Sequence, residues 1–361
     1  LVLYSVLHQH VMPDEVVIAD DGSTEVNHHE GELVNVLDTY GVGDAISTHH
    51  PALRGFYDQV IMDLTEENVR ETAKKSDVIM IQVPSGDVAK WAEIVLAEDC
   101  AIIDIGADIR FRDVDVWEKW YGQKHPDAKM THDAVYCIPE VMRDLAKGKK
   151  LIANPGCYPT ASTLGLQPML KAGHIVDNTI VIDAKSGYTG AGRRPALNKL
   201  LTEAENNFCA YALGGGHRHT PEIEQNLAYI TGKDLMKPET WQYINFQPHL
   251  LPQVRGIEVT IYATCDRDFT NEEVYELYKD FYKDEPFVKV FPASLPVQTK
   301  WVYGTNFCEM TPTFDARTHR LIVSSVIDNI GKGAAGQAIQ NMNLIMGLPE
   351  TTGLMMPPMY P

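Results

Sequence analysis

The chain of 361 residues is short of positive charge: 31 Lys and Arg stand against 49 Asp and Glu, a formal net charge of −18. That balance disfavours nucleic acid and anionic membranes as partners. Long apolar runs are missing as well, and no uncharged stretch reaches the roughly 20 residues of a membrane-spanning helix. The opening run from Leu1 to Leu7 is too short for a secretory signal and lacks its charged lead. Cysteine is sparse, and the six present have no paired spacing, which suits a reducing cytoplasm better than a disulfide framework. No Gly-x-Gly-x-x-Gly turn occurs near the start. The expectation is a soluble, cytoplasmic protein without a metal site, long enough for two domains with sizeable cores.

Against these absences one segment stands out, Asn154-Pro155-Gly156-Cys157-Tyr158-Pro159-Thr160. A strand-like run, Leu151-Ile152-Ala153, precedes it and a helical pattern from Ala161 follows. Pro159 is tolerated in a first helical turn, where its missing N–H would be unsatisfied anyway. Cys157 therefore opens a helix, where free backbone N–H groups and the positive dipole end favour thiolate. The same donors can hold an oxyanion or a departing phosphate. The other five cysteines read as small buried hydrophobes.

A nucleophilic thiol needs a base. Gly214-Gly215-Gly216-His217-Arg218-His219-Thr220-Pro221-Glu222 brings two imidazoles and a carboxylate together behind three glycines. A carboxylate can orient an imidazole and hold its pKa near neutrality. Thr220 is placed to cap a helix starting at Pro221. His217 is the first choice of acid–base and His219 the close second; sequence does not separate them. An anionic ligand on so acidic a chain needs a local basic pocket, with Arg110, Arg193, Arg194, Arg218, Arg255 and Lys332 as candidates.

Apolar runs at Asp77–Val83 and Ala101–Ile105, separated by a helical pattern through Trp91 and Leu96, suggest a parallel doubly wound sheet. Pro84 and Ser85 lie at a strand end, where a cofactor would bind. Beyond Cys157 longer strands at 179–184, 256–264 and 320–327 read as an antiparallel or mixed sheet with helices on one face.

Taken together, the Cys157 and His-Arg-His-Thr-Pro-Glu-Ile-Glu-Gln segments resemble the N-acetyl-gamma-glutamyl-phosphate reductase family of phosphorylating semialdehyde dehydrogenases. Further segments agree in order: Ile103–Arg110, Ala134–Glu140 (Cys137 replacing the usual Gly), Ser186–Arg193 and Asp328–Ala338. The resemblance covers most of the chain from about residue 77. It implies an α/β architecture, a Rossmann-like dinucleotide-binding domain (1–156 with 333–361) plus an α+β catalytic domain like that of glyceraldehyde-3-phosphate dehydrogenase (157–332). It implies NADPH-dependent reduction of an acyl phosphate through a Cys157 thioester, in a homodimer or homotetramer. Cofactor contacts would fall on Ser23, Pro84, Ser85, Ser186, Gly187, Gly190 and Asn329, and substrate contacts on Asn154, Arg110, Arg193, Arg218 and Glu222. Asp20 and Asp21 point towards NAD, Ser23 and Thr24 towards the NADP phosphate, and the family towards NADP. A first strand and phosphate loop are expected before Leu1, with residues 1–8 as the helix after that loop and 14–22 as the second strand. The rival readings are reductases of aspartyl or aminoadipyl phosphate, or a Cys-His acyltransferase that ignores nicotinamide.

Overall fold

The computed structural model describes residues 15–19, 34–38, 41–55, 58–192 and 196–359. The expectations for residues 1–8, for Asp20, Asp21, Ser23 and Thr24, and for Arg193 and Arg194 lie outside them.

Two seven-stranded sheets carry the chain. The first holds β1 (Glu15–Ala19), β2 (Val34–Asp38), β3 (Met62–Asp63), β4 (Val78–Gln82), β5 (Ala101–Asp104), β6 (Val135–Tyr136) and β7 (Leu151–Ala153). Its spatial order is β3-β2-β1-β4-β5-β7-β6. The strands β4, β5, β7 and β6 run parallel. Val78–Ile81 and all of β5 are buried, as unbroken apolar runs must be when helices cover both faces of a sheet. One expectation fails here: β1 is not a parallel second strand but lies antiparallel between β2 and β4. Its Val16-Val17-Ile18 run has no alternation, so its pattern specifies a strand without specifying neighbours or direction.

The second sheet holds β8 (Val181–Ser186), β9 (Cys209–Ala210), β10 (Asn245–Leu250), β11 (Ile257–Thr264), β12 (Val288–Val290), β13 (Cys308–Asp315) and β14 (Arg320–Ile327). Its order is β12-β13-β14-β11-β8-β10-β9, with parallel and antiparallel pairs mixed as expected. Along β8 and β11 buried residues alternate with half-buried ones, so one face packs inward.

That inner face rests on the helix Cys157–Lys171, whose residues from Tyr158 to Leu170 are all buried. Two local features let it lie there. A Cβ on Gly165 would come 2.6 Å from Ile261 Cδ1, so glycine permits the close approach to β11. Pro168 has no N–H, which strands the carbonyl of Leu164 one turn back. The Tyr282 hydroxyl, 2.6 Å away, donates to that carbonyl.

The chain leaves β7 through Asn154-Pro155-Gly156 directly into this helix. Cys157 thus stands beyond the carboxyl end of a parallel strand and at the junction of the two sheets. The helix Gly336–Ile345 packs on Pro139–Ala146 and β5.

Candidate active site

Gly156 caps the Cys157 helix with extended backbone, and longer-range hydrogen bonds hold the turn. Its N–H donates to Glu222 Oε1 at 2.8 Å. Arg110 Nε donates to the Asn154 carbonyl at 2.9 Å, Nη2 to the Ile105 carbonyl at 2.9 Å, and Nη1 to Glu222 Oε2 at 3.1 Å. Tyr136 donates to Glu222 Oε1 at 2.9 Å. Both Arg110 and Glu222 are buried, so the ion pair is held together by its surrounding hydrogen bonds as much as by charge.

His219 lies directly over this turn. A Cβ on Gly156 would sit 2.5 Å from His219 Nε2 and 3.0 Å from Arg110 Nη1, so only glycine fits. The helix begins at His219, two residues before the expected start, and Thr220 donates to the Gly215 carbonyl instead of capping. His217 sits behind: its Nδ1 accepts the main-chain N–H of His219 at 3.0 Å, and Nε2 meets the Tyr211 hydroxyl at 3.5 Å. Accepting at Nδ1 leaves the ring proton of neutral His217 on Nε2.

A cavity of about 560 Å³ opens at the junction. Gln82, Val83, Pro84, Ser85 and Ile105 line it from the strand ends of the first sheet. Arg110, Gly156, Cys157 and His219 form its reactive wall. Thr189 to Gly192, Lys199, Asn329 and Gly333 to Ala335 complete it. Burial governs the electrostatics: it pushes the Cys157 thiol up to about 11, although the Tyr158 N–H and the Arg110 guanidinium pull it down. Burial, helped by Arg110, lowers His219 to about 3. Burial, helped by His219, lowers His217 to about 3 as well. These shifts pair a neutral thiol with neutral imidazoles. The thiolate expected from the helix start alone is not the resting form, because desolvation outweighs the N-terminal donors.

The glycines of the C-terminal segment form part of the same construction. Gly331 to Ala335 is a single π-helical turn. A Cβ on Gly331 would collide with the Thr305 carbonyl oxygen, one on Gly333 would meet the Cys157 Cβ at 2.8 Å, and one on Gly336 Asn306 Oδ1 at 2.5 Å. Lys332 turns away into the core, 2.6 Å from Glu140 Oε1 and 2.6 Å from Gln340 Oε1.

Of the residues singled out in the sequence, Cys157, His219, Arg110, Pro84, Ser85, Gly190 and Asn329 share the cavity wall. Several others do not. Asn154 is buried with both ends of its amide engaged, donating to the Ala334 carbonyl and accepting from Asn341. Glu222 lies beneath Gly156 as framework. Arg218 is exposed, with its guanidinium 4.7 Å from the Tyr121 ring centroid. Ser186 is buried and donates to the Gly187 carbonyl, while Gly187 packs against the Val254 carbonyl. Two proposed basic-pocket residues are also committed elsewhere, Arg255 to Asp328 and Lys332 to Glu140. Sequence reasoning misses Thr189, Lys199 and Gly333 in the wall. Gly333 falls within the recognised C-terminal segment; Lys199 has no local signal.

The wall fits a nicotinamide. Strand ends offer an edge for it, and the glycines at 190 and 333, where a Cβ would meet Ser186 Oγ and the Cys157 Cβ at 2.8 Å, let the wall pack closely there. Asn329 accepts the Gly256 N–H at 2.7 Å and donates to Thr189 Oγ1 at 3.0 Å, which pins the glycine loop.

Comparison with known proteins agrees with this layout. Residues 25–149 match the semialdehyde dehydrogenase NAD binding domain, and residues 157–329 the semialdehyde dehydrogenase dimerisation domain. The chain is 45% identical over 334 residues, 92% of its own length and 93% of the relative's, to the N-acetyl-gamma-glutamyl-phosphate reductase of Desulforudis audaxviator. The chain belongs to the N-acetyl-gamma-glutamyl-phosphate reductase family. The family member from Synechocystis is 40% identical over 337 residues, 93% of both chains. In fold, this family member resembles aspartate semialdehyde dehydrogenase II from Vibrio cholerae, with a TM-score of 0.58 at 17% identity over 76% of this chain and 81% of the other. It also resembles the aspartate semialdehyde dehydrogenase of Candida albicans, solved with NADP, with a TM-score of 0.60 at 12% identity over 88% and 92% of the two chains. Among the described residues no helix is long and apolar enough to cross a membrane, and no cluster of metal-ligating side chains occurs.

Proposed function

We propose that this chain catalyses NADPH-dependent reduction of N-acetyl-gamma-glutamyl phosphate to N-acetylglutamate semialdehyde and phosphate, in the cytoplasm, as a step of arginine biosynthesis. The observation that carries the reading is Cys157 and His219 sharing one cavity with strand-end residues of a dinucleotide-binding sheet. Residues 1–156 with 333–361 form the nucleotide-binding domain, and residues 157–332 form the catalytic domain and pair with a second copy.

Cys157 is the nucleophile and His219 its proton partner; His217 buttresses the first turn of the His219 helix. An anionic substrate beside His219 favours imidazolium, so the thiol proton moves to His219 as substrate enters. The Cys157 sulfur then attacks the acyl carbon and phosphate departs, leaving a thioester. The main-chain N–H groups at the helix start stabilise the acyl oxygen as it gains charge. Pro84, Ser85, Gly190 and Asn329 would hold a reduced nicotinamide, which would supply the hydride needed to take the thioester to the aldehyde level. His219 returns its proton to sulfur as the aldehyde leaves.

The test is phosphate-dependent reduction of NADP, then of NAD, by N-acetylglutamate semialdehyde, with Cys157→Ser as control. Turnover that disappears with serine supports the reading, and the preferred nucleotide decides the cofactor. No turnover with either nucleotide from folded protein overturns it and directs attention to aspartyl or aminoadipyl phosphate.

A further inference from the structure

The segment Ile103–Arg110 carries a carboxylate that the mechanism does not use. Asp108 is only 2% exposed, and its Oδ2 accepts the main-chain N–H of Gly86 at 2.7 Å and that of Val88 at 3.3 Å. Those N–H groups open the helix Val88–Ala97, whose own cap residue, Asp87, makes no side-chain capping bond. The carboxylate that serves the helix start comes instead from a remote loop, beside the point where Pro84 and Ser85 line the cavity.

Pro84 to Asp87 form a β-turn, closed by the Asp87 N–H donating to the Pro84 carbonyl at 3.1 Å. Gly86 holds its third position with φ +103° while Ser85 keeps a negative φ, which makes the turn type II. A type I turn of the same four residues differs by rotating the central peptide, here Ser85–Gly86, through about half a revolution. Both ends of that peptide are gripped. The Ser85 carbonyl accepts from Gln123 Nε2 at 2.8 Å, and the Gly86 N–H is the one that Asp108 holds. Gln123 follows the helix Val114–Tyr121, and nearby His125 Nε2 meets the Asp108 carbonyl at 2.8 Å. Rotating the peptide would break both bonds and turn the Ser85 carbonyl towards the Asp108 carboxylate.

We infer that Gln123 and Asp108 are positioning residues for the nicotinamide nucleotide, clamping the Ser85–Gly86 peptide in the orientation the nucleotide meets. The inference rests on the reading above, in which the nucleotide lies along Pro84 and Ser85. Neither residue touches the reacting atoms; both act through the turn.

Gln123 is exposed, so its substitutions spare the core. Gln123→Ala removes the donor, and Gln123→Glu replaces it with an acceptor of the same shape. In the nucleotide-free full chain, either change should speed hydrogen exchange of the Gly86 amide by about threefold to tenfold, the worth of one hydrogen bond. Gln123 does not bond that amide, so only rotation of the shared peptide transmits the effect. Binding of NADPH and, in parallel, of NADH, followed by nucleotide fluorescence, should weaken by a similar factor, because fewer molecules hold the competent turn. In turnover the KM for the nucleotide should rise while the KM for phosphate stays. Asp108→Ala should act like Gln123→Ala, and Asp108→Asn, which keeps an acceptor, should recover much of the loss. If wild type binds a nucleotide and the Gln123 variants bind it as tightly, the inference is overturned and the proposed function stands. Weaker binding without faster Gly86 exchange also overturns it, since the effect then bypasses the peptide. If wild type binds neither nucleotide, the proposed function falls and the inference falls with it.

Discussion

The main-chain N–H of Gly156 donates to Glu222 Oε1 at 2.8 Å, so a carboxylate on the His219 helix holds the turn that presents Cys157. The same carboxylate neutralises Arg110. The two roles separate by substitution. Glu222→Gln keeps an acceptor for Gly156 but removes a negative charge that raises the Cys157 thiol. The alkylation rate of Cys157 should then rise at lower pH than in wild type, where burial pushes the thiol up to about 11. Glu222→Ala leaves a buried guanidinium unpaired and should cost about 3–5 kcal/mol in denaturant unfolding.

Acid sensitivity should trace to the paired imidazoles. His219 and His217 are each lowered to about 3 by burial, below the ordinary histidine value near 6.5. A depressed folded pKa gives stability that is present above the unfolded value and lost as pH falls through the window down to about 3. Urea midpoints measured between pH 7 and pH 4 should fall less steeply for His219→Gln than for wild type. An unchanged slope would mean that the ring is solvated.

The bond from Tyr282 to the Leu164 carbonyl compensates for Pro168. Tyr282→Phe leaves that buried carbonyl without its hydroxyl donor and should cost about 1–3 kcal/mol. In the double variant with Pro168→Ala the penalty should shrink, because an N–H returns to the helix. Denaturant unfolding of the four proteins measures the coupling.

Lys332 and Glu140 are fully buried in side chain and 2.6 Å apart. Lys332→Met strands the carboxylate and should cost about 3–5 kcal/mol, while Lys332→Met with Glu140→Leu should recover much of it. Equal losses in the single and double variants would show that packing, rather than charge, holds the π-helical turn beside Cys157.

Local chemistry is legible in the residues themselves. The strand runs at Val78–Gln82 and Ala101–Asp104, the helix start at Cys157 and the alternation along β11 all appear where short-range patterns place them. The direction and neighbours of Glu15–Ala19 are not legible, since an unbroken apolar run suits several slots. The start of the His219 helix differs from its expected place by two residues, because Thr220 uses its hydroxyl on Gly215 rather than on the helix end. Lys199 carries no signal because its neighbours in sequence hold no chemistry that points to it.

By itself the sequence determined the reactive groups: a cysteine at a turn into a helix, two histidines behind glycines, and a family resemblance carried by segments that follow one another in the family's order. Tertiary structure alone decided which imidazole meets the cavity, which cations are consumed by carboxylates, and that burial pushes the Cys157 thiol up. The physical reason is that these are properties of partners far apart in sequence. Arg110 finds Glu222 at a separation of 112 residues and Lys332 finds Glu140 at 192, and desolvation exists only once the two sheets have closed around Cys157.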